Sequence, residues 1–89
     1  MDKEEATIGD ARRRVAENVR RLRKERGLSQ EEMAELANFH RTYVSQLERC
    51  VTNISVGGLE KLAQALGVDI LDLLARIAPD QKEQPPQTS

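Results

Sequence analysis

The 89 residues predict an all-α domain. Three observations carry that expectation. Apolar residues recur at i, i+3, i+4 and i+7 along almost the whole chain, strand-like alternation of useful length is absent, and Ser, Asp, Asn and Gly fall where helix ends need them. The pattern divides into five helices forming one compact bundle over residues 10–78. A flexible, acidic segment is expected over 1–9 and a disordered tail over 79–89, where "PDQKEQPPQTS" is rich in Pro, Gln and charge and offers no apolar anchor. One core of this size gives only marginal stability, so an oligomer is expected from the outset.

Helix one runs from Asp10, a good N-cap, to Arg26, with Val15, Val19 and Leu22 on one face and Gly27 as the left-handed residue that ends it. Helix two starts at Ser29, which has the spacing of a reciprocal capping box with Glu32, and buries Met33, Ala34, Leu36 and Ala37. Asn38 tolerates positive φ, so the chain can reverse there before Arg41 opens helix three, which buries Val44 and Leu47. After the loop "CVTNI", Ser55 caps a fourth helix that buries Leu59, Leu62, Ala63 and Leu66 and ends at Gly67. Gly57 and Gly58 weaken its first turn by roughly 1 kcal/mol each relative to Ala. Asp69 caps the fifth helix, "ILDLLARIA", closed by Pro79. Its apolar residues cover more than one stripe, so Ile70, Leu73, Leu74 and Ile77 are assigned to a two-fold dimer interface, against the alternative of a wholly intramolecular core.

Composition excludes several classes. A single cysteine, Cys50, rules out an internal disulfide, and with a single histidine, His40, it leaves too few soft ligands for zinc. No run reaches the roughly 20 apolar residues a bilayer requires and the first ten residues have no apolar core segment, so a cytosolic protein is expected. Nucleophile motifs and Gly-rich phosphate loops are missing and the carboxylates are scattered, which argues against an enzyme. Neither a cofactor nor a small-molecule effector is expected, for want of a domain to hold one.

The net charge of −1 hides an uneven distribution. Residues 11–26 carry eight cations (Arg12, Arg13, Arg14, Arg20, Arg21, Arg23, Lys24 and Arg26) against Glu17 and Glu25. Taken alone, the cluster reads either as a solvated helix face or as a phosphate contact.

Two short helices joined by a tight turn within such a bundle make a helix-turn-helix, whose second helix can enter a DNA major groove. Ala34 is the small residue that a close crossing of the two helices requires. Arg41, Thr42 and Gln46 project from the side of helix three opposite Val44 and Leu47. Arg can donate twice to guanine, Gln can pair with adenine, and the Thr methyl can touch thymine, so these three are the candidate base contacts. Gln30, at the start of helix two, and the amides beside it are set to hold a phosphate. Ser45 shares the polar face and is assigned to the DNA backbone.

"LRKERGLSQEEMAELANFHRTYVSQLER" followed by "LEKLAQALGV" resembles the lambda-repressor-like, or xenobiotic-response-element, helix-turn-helix family over about residues 12–78. The resemblance implies a five-helix domain that binds double-stranded DNA, base contacts at Arg41, Thr42 and Gln46, and phosphate contacts at Gln30, Arg49 and the loop near Asn53. It also implies a partly buried ion pair between Arg23 and Glu48. Within the family, the short length and "HRTYVSQLERCVTN" are similar to the controller proteins of restriction-modification systems. That likeness implies a homodimeric regulator on a pseudo-palindromic operator. Phage-type repressors and antitoxin-like interaction modules share the same fold and stand as the alternative.

Three positions depart from the family pattern. Cys50 stands where Gly is common, and lacks Gly's freedom at positive φ. Ile54 replaces a usual Pro. His40 stands where Ser, Thr or Asp usually caps helix three; a neutral imidazole is a poor cap, while a protonated one beside a phosphate is favourable, and His40 is carried as a backbone contact. Tyr43 either contacts a phosphate or packs on the adjoining helix, Phe39 plugs the core, and Cys50 without a resolving cysteine reads as inert rather than redox-active.

Overall fold

The computed structural model describes residues 2–76, with side-chain surroundings from Asp10 onward. The elements run α1 (Asp2–Glu25), α2 (Gln30–Ala37), α3 (Arg41–Glu48), α4 (Val56–Leu66) and α5 (Ile70–Leu74), with no strand among the described residues. The tail over 79–89 and the expected interface residue Ile77 lie outside the described residues.

Helix α1 begins at Asp2 rather than at Asp10. Gly9 costs such a helix only about 1 kcal/mol relative to Ala, too little to end it. Asp10 is therefore not a cap; its carboxylate accepts from Arg14 Nε at 2.8 Å, one turn on. At the other end Gly27 takes φ 68°, and the Leu28 amide donates back to the Arg23 carbonyl at 3.0 Å.

The Ser29–Glu32 capping box forms at the start of α2, and Asn38 ends the helix at φ 62°. That left-handed residue lets the Phe39 amide donate to the Ala34 carbonyl at 2.8 Å, which fixes the tight turn into α3. Met33, Ala34 and Ala37 are buried, but Leu36 is 58% exposed. At 100° per residue Leu36 falls roughly 60° outside the stripe from Met33 to Ala34, too far for a helix of only two turns to bury it.

Ser55 caps α4, accepting from the Gly58 amide at 2.9 Å. Gly58 is buried, and a Cβ there would lie 2.8 Å from Ile54 Cγ1, so this glycine permits a close approach. Gly67, at φ 71°, ends the helix, and Arg26 Nε, just past α1, donates to the Leu66 carbonyl there at 2.7 Å.

The fifth helix is shorter than expected. Asp69 and Asp72 form a capping box, but after Leu74 the backbone turns extended at Ala75. Side chains of α1 occupy the carbonyls a longer helix would need. Buried Asn18 donates through Nδ2 to Leu73 O at 2.9 Å and Ala75 O at 3.0 Å, and Arg14 Nη1 donates to Leu74 O at 3.3 Å. The assignment of Leu73 to an intersubunit face is corrected by its position: it is 0% exposed, inside the chain's own core with Val19, Met33, Val44, Leu47 and Leu62. The helix instead turns Leu71 outward, 72% exposed, flanked by half-buried Ile70 and Leu74.

Candidate nucleic-acid interface

The N-terminus of α2 and the outer face of α3 border one open groove, lined by Arg23, Ser29, Gln30, Glu31, Arg41, Thr42, Ser45, Gln46 and Arg49. Every base-contact candidate is there, with Gln30, Ser45 and Arg49 from the backbone set. His40, Tyr43 and Asn53 lie outside its lining. Arg41, Thr42 and Arg49 are exposed, and Ser45 and Gln46 are half-buried at the base of the face. The opposite side of α3 anchors it through fully buried Val44 and Leu47.

A buried ion pair sets the position of that helix. Arg23 of α1 grips Glu48 of α3 with two parallel bonds, Nε to Oε2 at 2.7 Å and Nη2 to Oε1 at 2.9 Å. Relative exposures of 9% for Arg23 and 6% for Glu48 put both largely out of water. Hydrogen bonding to Glu48 raises the Arg23 pKa further above the ordinary guanidinium value, against the opposing effect of desolvation. Arg23 Nη1 also donates to the Leu28 carbonyl at 2.8 Å. From α2, Gln30 Nε2 donates to Glu48 Oε1 at 3.1 Å, so one carboxylate joins three helices beneath the groove. A carboxylate only accepts, so the Gln30 amide must turn its NH2 toward Glu48. For a phosphate, Gln30 retains its second amide hydrogen and its backbone N–H. The amides of Gln30 and Glu31, at the first turn of α2, have no carbonyl a turn earlier to receive them.

His40 acts as the N-cap of α3: its Nδ1 accepts from the Thr42 amide at 3.1 Å. With Nδ1 engaged in the cap, Nε2 is the ring nitrogen left for a partner outside the helix. Tyr43 donates its hydroxyl to the Asn53 carbonyl at 3.0 Å, and its ring packs 4.9 Å from that of Phe39. Partial burial pushes the phenol pKa up, which preserves the donor. The one hydroxyl hydrogen of Tyr43 is thus directed to the loop that carries Asn53, and its ring to Phe39 in the turn rather than to an adjoining helix. Phe39 itself is half-buried against the core, under the Lys61 ammonium at 5.2 Å. Cys50 adopts φ 63°, so the loop keeps the left-handed geometry that the sequence put in question, with a side chain at the position.

Sequence reasoning missed the internal duties of Arg14, Arg21, Arg26 and Asn18. Arg14 and Arg26 each reach a backbone carbonyl, and Arg21 pairs with Glu25 at 3.2 Å. Nothing in a one-dimensional charge pattern separates an arginine that caps a distant helix from one that faces water. Asn18 carried a usable signal, since it interrupts the apolar stripe of Val15, Val19 and Leu22 where only a satisfied polar group is tolerated.

No helix among the described residues is long and apolar enough to cross a membrane, and none of their His, Cys, Asp and Glu residues cluster to hold a metal ion.

The helix-turn-helix family model HTH_3 matches residues 19–73. Control protein C.SmaI of Serratia marcescens is 42% identical over 67 residues, covering 75% of this chain and 80% of that protein. Among solved structures, the restriction-modification controller protein C.AhdI from Aeromonas hydrophila superposes with a TM-score of 0.67 at 37% identity, over 70% of this chain and 94% of that one. A hypothetical transcription factor from Neisseria gives a TM-score of 0.73 at 42% identity, over 82% of this chain and 80% of that chain. The chain belongs to the helix-turn-helix family, the XRE-like DNA-binding transcription regulators, which are not enzymes and among which its relatives include proteins named as restriction-modification control proteins.

Proposed function

We propose that this chain is a sequence-specific regulator of the restriction-modification controller kind, working in the cytoplasm as a homodimer on a pseudo-palindromic operator. The observation that carries the reading is the groove, where Arg41, Thr42 and Gln46 stand beside the open amides of the first turn of α2. The three side chains read base edges, while Gln30, Ser45 and Arg49 position the duplex through its phosphates. His40 offers Nε2 to the backbone, and the Asn53 side chain contributes from an exposed loop that Tyr43 holds in place. Leu71, between Ile70 and Leu74, supports pairing through α5. A two-fold dimer sets the reading helices about 34 Å apart, one turn of duplex.

The test is a binding titration against sites selected from random duplexes, repeated at several salt concentrations. Specific binding is expected to fall steeply with salt, and Arg41→Ala to lose about 1 to 3 kcal/mol of base discrimination while keeping much of the non-specific affinity. Recovery of no preferred sequence, or equal preference in Arg41→Ala, rejects the assignment.

A further inference from the structure

The groove beside α3 carries one negative charge that phosphate binding does not call for. Glu31 is the sole acidic residue in its lining, exposed in the first turn of α2, and no ion pair or hydrogen bond holds its carboxylate among the described residues. The neighbouring acids are placed differently. Glu32 closes the capping box by accepting from the Ser29 amide at 2.8 Å, Glu48 is buried and engaged by Arg23 and Gln30, and exposed Glu35 lies outside the groove lining. Of the lining cations, Arg23 is neutralised by Glu48, while the side chains of exposed Arg41 and Arg49 have no partner among the described residues. The unpaired groups of the groove therefore carry a net charge of +1, from two guanidinium groups and one carboxylate. An acid in a first turn suits the helix dipole, but Glu32 already serves that end. Glu31 has both an open backbone N–H and a carboxylate, so its two groups act on a nearby phosphate with opposite sign.

We propose that Glu31 is an affinity-setting residue, a fixed counter-charge that weakens the groove's hold on the phosphates of any duplex and takes no part in base reading. The proposal rests on the operator-binding reading above. Affinity for DNA of arbitrary sequence is carried by phosphate charge, so one carboxylate set among two unpaired arginines lowers it wherever the protein lands. The position points to the backbone rather than to a base edge, because Gln30 beside it and the open amides of the same turn are the phosphate-positioning groups. The consequence is a shorter stay on unrelated sequence. A genome offers a vast excess of unrelated sites, and a regulator that any of them holds too firmly reaches its operator slowly.

The test measures binding of the wild type, Glu31→Gln, Glu31→Asp and Glu35→Gln to one selected site and to an unrelated duplex of equal length, at about 50 and about 200 mM salt. Glu31→Gln raises the unpaired groove charge to +2 and should bind both duplexes about 5-fold more tightly at the lower salt. That gain should shrink by about 3-fold at the higher salt, because one more net positive charge steepens the salt slope by about 0.9. The ranking of base substitutions within the selected site should stay as in the wild type. Glu31→Asp keeps the charge and should remain within about 2-fold of wild type. Glu35→Gln makes the same change in net charge outside the groove and should gain less than about 2-fold, being screened by solvent. Both positions are exposed, so all four proteins should fold, which their melting curves check. Unchanged affinity in Glu31→Gln, a gain matched by Glu35→Gln, or an altered base preference overturns the proposal. Absence of salt-sensitive binding in the wild type sinks the operator-binding reading itself, a separable result.

Discussion

Glu48→Ala should be among the most damaging single changes in the chain. The carboxylate receives three hydrogen bonds, two from Arg23 and one from Gln30, and its removal leaves a guanidinium that is only 9% exposed with the Leu28 carbonyl as its remaining partner. Breaking a buried pair in this one-sided way costs about 3 to 5 kcal/mol. The retained carbonyl bond and the proximity of the open groove place this case at the lower end, about 3 kcal/mol, which for a domain of this size lowers Tm by about 12–24 °C. The assay is thermal or urea unfolding of Glu48→Ala, Arg23→Met and the double variant. The double variant should recover a large part of the loss, because removing both charges leaves none stranded, and the coupling between the sites should exceed about 1.5 kcal/mol. Additive single effects, or a Glu48→Ala cost under about 1 kcal/mol, would falsify the view that the pair fixes α3. DNA binding by the folded double variant should be weaker than wild type, since Gln30 loses its anchor too.

Other perturbations test separate features. Cys50→Gly should stabilise by about 1 kcal/mol, because φ 63° is strained for a residue with a side chain, while Cys50→Val should destabilise; a melt ranking Val above Cys contradicts the strain. Gly57→Ala should raise stability by up to about 1 kcal/mol, having only Ser55 Oγ nearby at 3.9 Å. Gly58→Ala should instead cost about 1 to 3 kcal/mol through its clash with Ile54, and Ile54→Ala in the same chain should relieve that clash, which unfolding curves will resolve. Asn18→Ala should cost about 1 to 3 kcal/mol by orphaning the Leu73 and Ala75 carbonyls, with hydrogen exchange rising first in α5. Leu71→Glu should give a folded monomer by sedimentation, whereas Leu73→Glu should not fold; a Leu71→Glu dimer moves the interface elsewhere.

What could be read in advance was whatever a few neighbouring residues decide among themselves. The Ser29 box, the left-handed turn at Asn38, the caps at Ser55 and Asp69 and the stop at Gly67 are local chemistry, and each appears in the structure. The polar face of α3 was legible for the same reason, being the complement of Val44 and Leu47. The start of α1 was misplaced because Asp10 has a capping side chain, although nothing after it was the first unsatisfied turn. The length of α5 and the fate of Leu73 depend on Asn18, 55 residues earlier, and no periodicity within α5 reports such a partner. Likewise His40 lacks the short oxygen of a usual cap, yet its Nδ1 sits where that oxygen would.

Helix α1 fastens the reading helix on one edge and the end of α5 on the other, through Arg23 to Glu48 and through Asn18 and Arg14 to three successive carbonyls. In a dimer joined at α5, the distance between the two reading heads is then measured by a rigid bar rather than by a hinge. An extra base pair between half-sites rotates one of them by about 34°. With α1 tied to both ends by those hydrogen bonds and unable to take up that angle, the twist has to come from the DNA, so operators of the wrong spacing should be discriminated by the stiffness of their central steps.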